Sequence, residues 1–146
     1  MDRDDVVARV RAGYDAMRDG EVEPALALFS DDVVMHVVGD HPFAGDYAGR
    51  TAVRSYLADT AAAVGAGVFT VTSVMVDDVE PEVLVEGTAV DGVGGVGDVD
   101  GRQPFVRTVV HRLRFDGDLV VEMWRHAFDP GQEDEFWRRA GRPRPT

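Results

Sequence analysis

The chain has no cysteine, which excludes disulfide staples, thiolate metal sites and cysteine nucleophiles together. It has no lysine either, so Schiff-base chemistry is ruled out and arginine is the only fixed cation. Isoleucine and asparagine are also missing. Lys, Asn and Ile share A/T-rich codons, and the common gap reads as the mark of a GC-rich genome rather than of function. Long apolar runs are scarce. Stretches such as Val33-Val34-Met35 fall far short of the roughly 20 residues a membrane span requires, and the acidic N-terminus lacks the basic-then-apolar order of a signal peptide. A cytoplasmic location is expected. Positive charge is in deficit, and a net charge of −12 argues against nucleic acid and against anionic membranes as partners. The acidic excess is read as serving solubility. With 146 residues, 45% of them apolar, the chain can build one good core and is too short for two ordinary domains. The expectation is one domain over 1–140 and an Arg/Pro tail over 141–146.

What is present is a run of helix signals followed by strand signals. Val6, Val7, Val10, Tyr14 and Met17 recur at three-to-four spacing and predict an amphipathic helix over 3–19 that Gly20 stops. Glu23 to Phe29 reads as a shorter helix with Pro24 in its first turn. Val33 to Val38 is a β-branched run of strand length, and Gly39 to Arg50 reads as a loop. Thr51 is placed to cap a third helix carrying Val53, Tyr56, Leu57 and Val64. Val68 to Val76 and Val83 to Val90 are strand-like, and the run Asp91 to Arg102, with five glycines, reads as a hairpin connection. A short helix is expected around Glu133 to Arg139. This order describes an α+β layer, helices packed on an antiparallel sheet.

The last two strands, Phe105 to Phe115 and Asp118 to Phe128, read as a hairpin closed by Asp116-Gly117. A two-residue turn there sets His111 opposite Glu122, Val109 opposite Trp124 and Arg107 opposite His126. All six then share one face, a half-dry and titratable wall suited to small-molecule chemistry. Two readings of the hairpin stay open. A Phe115-Asp116-Gly117 turn with a glycine bulge would slip the second strand and turn Leu119, Val121, Met123 and Arg125 inward instead, leaving Glu122 and His126 outside. The polar pairs would also serve simply to fix strand register.

Leu28-Phe29-Ser30-Asp31-Asp32-Val33-Val34-Met35-His36-Val37, the loop His41-Pro42-Phe43-Ala44-Gly45-Asp46-Tyr47-Ala48-Gly49-Arg50, and Glu122-Met123-Trp124 with Phe136-Trp137 resemble SnoaL-like proteins of the nuclear transport factor 2-like superfamily. The resemblance covers nearly the whole chain. It implies a cone-shaped curved sheet wrapped with about three helices, open at one end to a hydrophobic ligand. It also implies an activity of the polyketide cyclase or ketosteroid isomerase kind. The isomerase pattern itself does not carry over: its general base falls on Val37 and the acid of its oxyanion hole on His111.

The residues themselves suggest His111 and His126 as proton-transfer groups, Glu122 as their orienter and Arg107 as an oxyanion partner. Tyr14, Met35, Val37, Val109 and Trp124 would line the ligand site. No two histidines have a metal-ligand spacing, so no metal is expected, and no cofactor. The expected function is cofactor-independent cyclase, isomerase or dehydratase chemistry on a hydrophobic, oxygenated metabolite such as a polyketide; the alternative is a non-catalytic binding or interaction module. With that face inside, Val110, Leu119, Val121 and Met123 would form an outer apolar patch, and a homodimer would cover it, with Arg112, Arg114 and Arg125 pairing to acids of the partner.

Overall fold

The structure is a computed structural model that describes residues 2–64, 68–77, 79, 81–91 and 105–140. The expected glycine-rich connection beyond Asp91 and the 141–146 tail lie outside the described residues. In chain order the elements are α1 (Arg3–Arg18), α2 (Val22–Leu26), β1 (Phe29–Val37), β2 (Gly45–Ala48), α3 (Arg50–Val64), β3 (Val68–Val76), β4 (Glu82–Asp91), β5 (Phe105–Asp116), β6 (Leu119–Ala127) and α4 (Pro130–Ala140).

Local chemistry explains the boundaries. The Asp2 carboxylate accepts the Asp5 N–H at 2.9 Å and caps α1, with Asp4 and Asp5 favourably placed in its positive first turn. Gly20, at φ 80°, takes the left-handed conformation that ends the helix. At the other end of the chain, the Asp129 side chain accepts the Gln132 N–H at 3.1 Å, and Pro130 occupies the first helical position of α4.

The six strands form one curved, unclosed sheet in the order β2-β1-β6-β5-β4-β3. Every neighbouring pair is antiparallel except β1 with β6, which run parallel. The segment expected to be loop from Gly39 to Arg50 contains the short edge strand β2, paired to the end of β1. Gly-Asp-Tyr-Ala lacks the β-branched residues that advertise a strand, and β1 supplies the template.

One face of the sheet packs against the helices and the other is open. Met35 and Val37 are buried on the inner face of β1, alternating with half-buried Val34 and His36. They join Val10 of α1, Leu26 of α2, Val53 and Tyr56 of α3 and Trp137 of α4 in one core.

The β5–β6 hairpin is where the structure corrects the expected geometry. Asp116 pairs with Leu119, so the loop is Gly117-Asp118, with Gly117 at φ 65°. That displacement moves the pairing by two residues and by itself preserves the faces. A bulge then sets in: Phe115 pairs with Val120 but Arg114 with Glu122, which leaves Val121 as the extra residue. The extra residue inverts the pleat beyond it. Val120, Met123 and Arg125 are buried, while Glu122, Trp124 and His126 point outward. His111 therefore faces Arg125 and not Glu122. The expected outer apolar patch is changed by the same step, because Met123 and Arg125 lie inside.

Candidate functional site

The inner face of β5 presents Arg107, Val109 and His111, all buried, and β6 adds Arg125 beside His111. Tyr14 reaches in from α1, with its hydroxyl 2.6 Å from His111 Nδ1. The imidazole also stacks on Phe69 of β3, ring centres 4.8 Å apart at 12°. Phe69 can lie flat there because β4 has Gly87 beneath it: a Cβ at Gly87 would overlap the ring and sit 2.7 Å from the Thr70 carbonyl oxygen.

Burial sets the protonation of this pair. His111 is only 8% exposed, and desolvation, helped by the nearby Arg125 charge, pushes its pKa down to about 3. Burial likewise raises the Tyr14 phenol well above its ordinary value. Both groups are neutral at pH 7. With the phenol as donor and Nδ1 as acceptor, the neutral imidazole carries its proton on Nε2. That Nε2 is buried and has no hydrogen-bond partner among the described residues.

A second cluster centres on Glu133 in the first turn of α4, which is 1% exposed. Its Oε1 accepts from Arg107 Nη2 at 2.9 Å, Arg125 Nη2 at 2.8 Å and Trp137 Nε1 at 3.1 Å. Burial alone would raise this carboxyl's pKa, but the charges and hydrogen bonds of Arg125 and Arg107 outweigh it and hold the value at about 2. Glu133 is an ionised anchor that ties α4 to the sheet. Arg107 also lies 4.7 Å over the Phe105 ring, which stacks on Phe136 of α4 at 4.6 Å.

His41, in the loop after β1, lies against Trp137 with ring centres 6.2 Å apart. Its Nδ1 accepts the Phe43 N–H at 3.1 Å, and burial lowers its pKa.

The structure thus brings together Tyr14, Met35, Val37, Arg107, Val109 and His111 of the expected site, and puts Glu122, Trp124 and His126 on the opposite face. Out there, Glu122 Oε2 is 2.7 Å from His36 Nε2, whose Nδ1 is 2.7 Å from Asp46, and Glu122 Oε1 meets Arg114 at 3.0 Å. The two carboxylates, Asp46 first, raise the His36 pKa, and the bond to His36, followed by Arg114, lowers that of Glu122. Trp124 is stacked between His36 and the Arg112 guanidinium, 4.6 Å from its ring centre. Arg112 itself pairs with Glu82 at 2.6 Å. The arginines expected to pair across a dimer are therefore engaged within the chain.

Sequence reasoning missed Glu133 and gave Arg125 no role, although the bulged reading of the hairpin turns Arg125 and Met123 inward and leaves Glu122 and His126 outside, as the structure has them. Glu133 carried a faint signal, since it is four residues before Trp137 and three before Phe136, on the stripe that α4 turns inward. Among the described residues no group of three or more His, Asp or Glu could hold a metal, and no described helix is long and apolar enough to cross a membrane.

A curved sheet lined with polar groups and backed by helices defines a class of small α+β folds, the nuclear transport factor 2-like proteins. Within that class the chain belongs to the SnoaL-like domain family, whose model matches residues 10–123. No curated protein matches it significantly. Among solved structures it is similar to Bal32a from a soil-derived mobile gene cassette, with 23% identity, a TM-score of 0.80, and coverage of 92% of this chain and 98% of that one. A Xanthomonas campestris pv. campestris protein provisionally named a polyketide cyclase shares 17% identity at a TM-score of 0.73, over 95% of this chain and 98% of its own. RV0760c of Mycobacterium tuberculosis, in complex with estradiol-17beta-hemisuccinate, shares 18% identity at a TM-score of 0.65, over 83% and 92%. At these identities the likeness is one of fold.

Proposed function

We propose that the chain binds a hydrophobic, oxygen-bearing small molecule on the inner face of its sheet and acts on it without a cofactor, by acid/base chemistry of the cyclase, isomerase or dehydratase kind. One observation carries this reading: His111 is buried, kept neutral by that burial and hydrogen-bonded to Tyr14 through Nδ1, with Nε2 unmatched among the described residues. A neutral imidazole N–H polarises a carbonyl without titrating at physiological pH, and it stabilises the enolate oxygen as water or buffer base takes the α-proton. Met35, Val37 and Val109 supply apolar wall around it. A cyclase-named neighbour and a steroid-bound neighbour of the same fold support the choice of ligand class.

The same groups favour a second reading, a binding module without turnover, because neither the His111 nor the Tyr14 pKa is near neutrality. Exchange of α-protons separates the two. With 2-tetralone in D2O, the enzyme reading predicts faster α-deuteration followed by NMR, lost in His111→Phe. Saturable binding with exchange at the buffer rate would leave only the binding module.

A further inference from the structure

His36, on the outer face of β1, has a carboxylate oxygen 2.7 Å from each ring nitrogen, Asp46 Oδ1 at Nδ1 and Glu122 Oε2 at Nε2. With both carboxylates as acceptors, both nitrogens must donate, and only the imidazolium has two N–H groups. The charged groups around the ring come from four other strands. Asp46 belongs to β2 and Glu122 to β6; Arg114 of β5 holds Glu122 at 3.0 Å, and Arg112 of β5, itself paired with Glu82 of β4, stacks on the Trp124 ring that also meets His36. Of the strands tied this way, β2 is the weakest. Its four residues pair with β1 alone at the sheet edge and include no β-branched side chain. Tyr47 packs on Tyr56 of α3, ring centres 4.9 Å apart, and Asp46 ties the strand to the outer face.

We propose that His36 is a pH-sensitive latch on the edge strand β2, closed while the imidazole carries two protons and released at Asp46 when it loses one. A neutral ring keeps one N–H and turns a lone pair toward the other carboxylate. Glu122 has a side chain only 25% exposed, whereas that of Asp46 is 72% exposed and has no second partner among the described residues. Water replaces the lost donor easily at an exposed carboxylate and poorly at a half-buried one, so the remaining proton stays with Glu122 and Asp46 is freed. Bonds to Asp46 and then Glu122 raise the pKa of the ring, so the latch is closed below pH 6.5 and opens as the pH rises through the raised value. The strand it frees flanks the inner wall, since Tyr47 pairs with Met35 and Gly45 with Val37. The latch itself does not depend on the ligand-binding reading.

Amide exchange of the full chain, followed by NMR over a pH series and corrected for intrinsic rates, tests the latch, with the His36 midpoint read from ring shifts in the same samples. Protection of the β2–β1 amides, and of the Gly49 N–H bonded to the Val33 carbonyl, is expected to fall about threefold as the pH passes that midpoint, while β4–β5 amides hold constant. Threefold is about the scale of an exposed ion pair. In His36→Gln the β2 amides should start at the lower protection and show no step. In Asp46→Asn the ring stays in place, and the amide can accept from an N–H or donate to a lone pair, so the step should vanish there too. Thermal melts check that both variants are folded, and the parent series stands without them. Unchanged β2 protection across the midpoint, an equal fall in every strand, or a step that persists in either folded variant overturns the latch.

Discussion

Replacing Glu133 by alanine removes the acceptor that three buried donors share, and its cost can be worked out in two ways. One carboxylate oxygen takes Arg107 at 2.9 Å, Arg125 at 2.8 Å and Trp137 at 3.1 Å, inside a residue 1% exposed. Removing one partner of such a buried ion pair costs about 3–5 kcal/mol, mostly because a buried charge is left behind. Independently, moving the carboxyl from its ordinary 4.5 to about 2 in the folded protein corresponds to about 3 kcal/mol of stability at pH 7. In a chain of this size either figure lowers Tm by about 10 °C. The pH dependence follows from the sign of the shift. A depressed carboxyl contributes fully above its unfolded pKa, here 4.5, and the contribution disappears as the pH falls through about 2. Melts followed by circular dichroism should show the gap between parent and Glu133→Ala wide at pH 7 and closing between pH 4.5 and 2. A variant melting within about 2 °C of the parent at pH 7 would refute the role of Glu133 as the anchor of α4.

The His111 ring should not titrate between pH 5 and 8 by NMR, and because its folded pKa of about 3 is below the unfolded 6.5, it contributes a loss of stability as the pH falls from 6.5 toward 3; an imidazole titrating near 6.5 at this position would contradict its burial. His36, with its pKa raised by Asp46 and Glu122, behaves oppositely: its contribution is complete below pH 6.5 and is lost as the pH rises through the raised value, and NMR should give a midpoint above 6.5 that drops in Asp46→Asn. Gly87→Ala should displace Phe69 from the His111 ring and destabilise by about 1–3 kcal/mol, read from denaturant melts; an unchanged midpoint would mean that Phe69 does not need the notch.

The element order was legible because it is written in periodicities that tertiary structure rarely overrides. The valine and tyrosine spacing of α1 and the β-branched runs of β1, β3 and β4 are of this kind. Half of the candidate wall was legible for the same reason: once β5 is a strand, Arg107, Val109 and His111 must share a face. What lies opposite them stayed open between two registers, because pairing across a hairpin depends on where the loop falls and on whether any residue is left over. Nothing about Val121 distinguishes a bulged valine from a paired one, yet it exchanges Glu122 for Arg125 as the inner residue beside His111. Glu133 was concealed by its type, since a glutamate in a helix's first turn usually faces water and favours the helix dipole. Only the two inward arginines explain its burial, and one of them faces inward only in the bulged register.

Binding on the inner face of the sheet requires that His111, and not an outer-face imidazole, meets the ligand. Ring nitrogen shifts of all four histidines, recorded by 15N NMR during a titration with 2-naphthol, test this directly. The inner-face site predicts that Nε2 of His111 responds, staying protonated while Nδ1 remains an acceptor, and that His36 and His126 on the outer face are unmoved. A response at His36 or His126 with His111 silent would contradict it.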